Sequence, residues 1–133
     1  MALHPVVLVR PQHTEGDCAI AALAMLLHVS YEDVLALAAQ TLKRPHERGL
    51  FLNEIERLTV ALGHRLKRVR RGYDIDSDTG ILGVRSKAYS HVVVIREGVL
   101  IDPVDGEVWF DPSAYIDAIE GTHGPLLRYV EEG

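Results

Sequence analysis

A chain of 133 residues, 47% hydrophobic and 25% charged, has the size and composition of one compact domain with its own core. Its single cysteine excludes an internal disulfide and a zinc site of several thiolates, and a formal net charge of -5 argues against general nucleic-acid binding. The longest apolar run near the amino terminus, residues 5–9, is too short for a membrane span and lacks the basic flank and cleavage site of a secretory leader, so a cytoplasmic protein is expected.

In chain order, "CAIAALAMLLH" from Cys18 to His28 is apolar almost all round, which predicts a helix buried on every side. Ser30, three residues before Asp33, is a start signal for a second helix through "VLALAAQ", and Pro45 and Gly49 mark a loop after it. Asn53 is the expected cap of a third helix, "EIERLTVALG", with Ile55, Leu58 and Leu62 on one face and Gly63 as its stop. From there the period changes. "HRLKRV", "GILGVR", "SHVVVIR", "GVLIDP" and "GEVWF" are β-type runs separated by Gly, Asp and Pro, followed by a short helix "PSAYIDAI" and a last strand "PLLRYV". The expected fold is α+β in one domain over residues 1–133: a helical half at about 14–63, with the buried helix central, packed on an antiparallel sheet at about 64–130.

Cys18 follows Gly16 and Asp17 where loop becomes helix, and the partial positive charge of a helix start favours thiolate over thiol. Asp17 opposes this if its carboxylate faces the sulfur, or caps the helix if it points away. The alternative is a buried, inert thiol. A thiolate nucleophile needs a base, and His91 opens an apolar strand in which a polar ring otherwise has little reason to be. Asp102 ends the next strand, just before Pro103.

If Glu97 and Gly98 form a two-residue hairpin turn, residues summing to 195 lie opposite each other, so Val93 faces Asp102 and His91 is its diagonal neighbour, within reach of an orienting hydrogen bond. A three-residue loop with Gly98 as a bulge shifts the register by one and turns Asp102 to the other face. Glu-Gly fits either. Gln12, six residues before Cys18, offers a side-chain amide that with the Cys18 backbone N–H can hold an oxyanion, or else it is a solvated loop residue.

The ordered set of Gln12, Asp17-Cys18, His91 and Asp102-Pro103, with "RGLFLNEIERLTVALGHRL" and "SHVVVIREGVLIDPVDGEVW", resembles the bacteriocin-processing, double-glycine leader peptidases of the papain-like cysteine peptidase superfamily over roughly residues 10–110. The resemblance implies a papain-like fold and assigns Cys18 as nucleophile, His91 as base, Asp102 as its orienting group and Gln12 as oxyanion donor, with no metal or other cofactor and a peptide or protein as substrate. Two departures are Ala19, where the family has Gly, and a short eleven-residue interval from His91 to Asp102. The chain carries no transporter segment and no nucleotide-binding glycine loop, so a free-standing enzyme is expected, with the double-glycine substrate resting on the family alone. The competing readings are a papain-like module that binds peptides without cleaving them, and a thiol acyl or amide transferase built on the same residues.

Two further motifs have blander explanations. "DIDSDTG" at residues 74–80 begins like a calcium loop, but its Gly comes one place late and Arg85 stands where a closing Glu is needed. "RLKRVRR" at residues 65–71 holds five of the fourteen Lys and Arg residues and reads as a solvated strand edge, with a phosphate or an acidic peptide as its functional alternatives. Trp109 is expected to pack on the core.

Overall fold

The computed structural model describes residues 18–42, 50–87 and 90–131. Among them, helices α1 (Cys18–Leu27), α2 (Tyr31–Thr41) and α3 (Leu52–Ala61) precede strands β1 (Leu66–Val69), β2 (Thr79–Arg85), β3 (Ser90–Arg96), β4 (Val99–Ile101) and β5 (Val108–Trp109). Helix α4 (Pro112–Ala118) and strand β6 (Thr122–Tyr129) complete the described chain. The architecture is α+β, with every strand pair antiparallel and the order β1-β6-β2-β3-β4-β5. The last strand does not extend the sheet at an edge; it enters between β1 and β2.

Strand alternation sorts the apolar side chains into one cluster on each face of the sheet. Ile81, Val94, Ile101 and Leu127 pack with α1, α2 and α3, while Leu82, Val93, Ile95, Leu100 and Leu126 pack with Tyr115 and Ile116 of α4. The sheet is thus covered on both sides, which accounts for strands that read as continuous apolar runs. Helix α1 is the centre of the larger cluster: residues 19 to 27 are all buried, as its Ala- and Leu-rich composition requires.

Local signals explain the helix ends. The Ser30 hydroxyl accepts from the Asp33 amide at 3.0 Å and starts α2, and Gly63 at φ 85° ends the turn after α3. The expected Asn53 cap is corrected. Helix α3 begins at Leu52, because the Glu54 carboxylate reaches back to the Phe51 amide at 2.7 Å and so supplies the terminus from inside the first turn. Asp111 caps α4, with Pro112 at its first position, a residue whose missing N–H has no role there. Strand β1 is a sheet edge, and its Arg68 pairs with Glu56 of α3 at 2.7 Å. None of the described helices is long and apolar enough to cross a membrane.

Candidate active site

The β3–β4 hairpin decides the geometry. Its pairs are Val94 with Ile101, Ile95 with Leu100 and Arg96 with Val99, each summing to 195, which is the register of a two-residue turn. Glu97 at φ 48° and Gly98 at φ 89° are both left-handed, as a type I′ turn demands, and this turn matches the twist of the flanking strands. Glutamate is an unusual first residue for such a turn, while Gly98 takes the position at no steric cost.

That register puts His91 and Asp102 on the face that carries α4, and their side chains meet: His91 Nε2 lies 2.8 Å from Asp102 Oδ1. The pair is shielded, the two side chains being 7% and 12% exposed. Asp102 is further fixed by the Val104 amide, which donates to Oδ1 at 3.0 Å, and by the Tyr115 hydroxyl, which donates to Oδ2 at 2.9 Å. Both carboxylate oxygens are occupied. Its backbone is held as well, the Asp102 amide donating to the Glu107 carbonyl at 3.0 Å and the Asp102 carbonyl accepting from the Gly106 amide at 2.8 Å.

Cys18, partly exposed, is the first residue of α1, on the opposite face of the sheet. The β3–β4 ladder covers only Val94 to Arg96, so the start of β3 runs past the end of β4, and there the His91 ring comes close enough to the Cys18 side chain for the thiol to help raise its pKa. With Nε2 turned to the carboxylate, Nδ1 is the nitrogen left for the thiol. One imidazole thereby joins a group of α1 to a group of the α4 side.

Burial alone would pull the His91 pKa down, but the hydrogen bonds to Asp102 and Cys18 and the charges of both push it up to about 9. Burial likewise acts to raise Asp102, and it is outweighed by the bonds from His91, Val104 and Tyr115 and by the His91 charge, which hold its carboxyl below the usual carboxylate range. The arrangement favours an imidazolium beside an ionised carboxylate at neutral pH, a state in which the ring can stabilise a thiolate and later release a proton.

No protein-family model matches the chain, and no curated protein matches it significantly. What the residues can do rests on their own geometry. Of the four candidates read from the sequence, Cys18, His91 and Asp102 are brought together, and Gln12 lies outside the described residues, as do Gly16 and Asp17. Tyr115 and the Val104 amide are the partners the sequence reading missed; a tyrosine on the apolar face of a short helix needs a partner for its hydroxyl when buried, and that was the available signal.

The other motifs fold into structure. In the 74–80 segment, the Asp74 carboxylate accepts from the Asp76 amide at 2.9 Å, and Asp78 accepts from the Asp74 amide at 2.8 Å and pairs with Arg128 at 3.1 Å. No group of three or more His, Cys, Asp or Glu side chains placed to hold a metal ion occurs among the described residues. Trp109 meets Tyr115 edge to face, with ring centroids 5.5 Å apart, beside the apolar cluster under α4.

Proposed function

We propose that this protein is a papain-like cysteine peptidase that attacks a peptide carbonyl with the Cys18 sulfur. The observation that carries the reading is the single His91 ring, hydrogen-bonded to Asp102 and interacting with the Cys18 side chain. A nucleophile in reach of a base, with the base oriented by a third group, is the recurrent requirement of covalent acyl transfer.

In the reaction, the Cys18 proton is already held on His91 Nδ1 as the imidazolium, and the thiolate adds to the carbonyl carbon. The oxyanion is held by the Cys18 N–H, one of the helix-start amides without an intrahelical acceptor, and by Gln12 as the family resemblance implies. The imidazolium gives its proton to the departing amine as the C–N bond breaks, leaving a thioester on Cys18. Water, deprotonated by the same ring, then adds to the thioester; the acid is released and the thiol regenerated. Asp102 keeps Nε2 protonated and the ring turned so that Nδ1 faces sulfur throughout.

The test is digestion of a diverse peptide mixture, with new amino termini read by mass spectrometry. Wild-type protein is expected to produce cleavage products that are absent with Cys18→Ala. Cleavage that survives in Cys18→Ala, or wild-type protein that binds peptides and leaves them whole, overturns the reading in favour of another nucleophile or of a binding module. Products joined to an added amine in place of water identify a transferase.

A further inference from the structure

We infer that Tyr115 is a positioning residue of this site, whose hydroxyl fixes the Asp102 carboxylate and through it the aim of the His91 ring at Cys18. The inference rests on the peptidase reading.

Three observations carry it. The Tyr115 hydroxyl donates to Asp102 Oδ2 at 2.9 Å, while Oδ1 is the oxygen that takes His91 Nε2. A carboxylate held by one oxygen rotates about its Cβ–Cγ bond; one held by both presents Oδ1 in a single direction. Tyr115 itself has little freedom: it is 2% exposed, it lies on α4, whose start is capped by Asp111, and the Trp109 ring packs edge-on against it. Its hydroxyl also reaches the carboxylate from the α4 side, whereas the Val104 amide reaches it from within the loop that follows β4. Asp102 is therefore held between its own loop and a separate helix.

The chemical consequence differs from that of packing. A donor on Oδ2 stabilises the ionised carboxylate, so its removal moves Asp102 protonation to higher pH, and it frees the carboxylate to turn away from His91, with the ring and its burial retained. A tyrosine that only fills the core would change melting temperature and nothing else.

The experiment compares wild type with Tyr115→Phe, using Ile116→Val as a packing control on the same helix. The low-field proton resonance of the His91 Nε2–H is followed by NMR as pH is lowered, and alkylation of Cys18, the chain's sole thiol, is timed with iodoacetamide. In Tyr115→Phe the resonance is expected to broaden and to vanish at a higher pH than in wild type, and alkylation near neutral pH to slow by about threefold to tenfold. In Ile116→Val both are expected to match wild type. Should Tyr115→Phe fail to fold, biosynthetic 3-fluorotyrosine, a stronger donor, is expected to carry the resonance to lower pH.

Unchanged resonance and alkylation in a folded Tyr115→Phe, or in the fluorinated protein, overturn the role of Tyr115 and leave the peptidase reading standing. A wild-type thiol that alkylates no faster than in His91→Ala at about pH 6 removes the peptidase reading itself, and the positioning role with it.

Discussion

Two carboxylate-bearing turns, one after β4 and one before β2, offered candidate chemistry in the sequence, and they fold into opposite arrangements. Asp102 is buried, and two of its three side-chain partners are other side chains, His91 and Tyr115. Asp74, Asp76 and Asp78 lie nearer solvent and bond mainly to the backbone of their own turn, to Arg128 and to Ser113. Both sets are acidic, yet only the first is coupled to a group that exchanges protons at ordinary pH. A carboxylate turned to its own backbone makes a turn; one turned to an imidazole makes a candidate site.

The comparison breaks first at Cys18. On the proposed reaction, Cys18→Ala is expected to lower peptide turnover by roughly 10³-fold or more with the circular-dichroism spectrum and Tm nearly unchanged, since the residue is partly exposed at a helix start. Retained turnover would show that Cys18 is not the nucleophile.

Asp102→Asn is the next largest. It removes the negative charge that helps raise the His91 pKa and puts a neutral amide in place of the carboxylate, so turnover is expected to fall by roughly 10²- to 10⁴-fold and the alkaline limb of a pH–rate profile to move to lower pH. In wild type that limb should lie near pH 9, where His91 loses the proton it must give to the leaving amine.

The same shift predicts stability. His91 titrates at about 9 in the folded chain against an ordinary value of 6.5, so its bonds contribute fully below pH 6.5 and are lost as pH rises through 9. For Asp102, held below the usual range, the contribution is present above ordinary carboxylate titration and is lost in acid. The Tm gap between wild type and Asp102→Asn is expected to be widest between these limits and to close at either end. A gap that widens above pH 9 would contradict the pairing.

The smallest effects belong to the other turn. Asp78→Asn is expected to cost about 1 kcal/mol or less in a denaturant titration, because its partner Arg128 is partly exposed, and to leave turnover unchanged. Millimolar calcium is expected to leave Tm where it is; a rise would show that the 74–80 segment closes around a cation after all.

What was legible in the sequence were features set by a few adjacent residues. Ser30 announced α2, Gly63 the end of α3, and the Glu97–Gly98 pair a hairpin of two or three loop residues, the first of which brings His91 and Asp102 together by counting. Illegible features depend on residues far apart. β6 enters between β1 and β2, and Tyr115 reaches Asp102 across thirteen positions. Periodicity marks Tyr115 as apolar and inward, but its hydroxyl finds a partner only once α4 is laid on the sheet. The choice between the two hairpin registers was likewise beyond alternation, because β3 and β4 are apolar on both faces.

The Glu97–Gly98 turn lies at the other end of β3 from His91, roughly 17 Å away at the rise of an extended strand. One residue inserted there reverses the parity of β4 and swings the Asp102 carboxylate toward the helices of the opposite face, leaving His91, Cys18 and every side chain around them unaltered in sequence. The hairpin thus behaves as a remote clutch: an odd or even count of residues in a distant loop engages or releases the histidine.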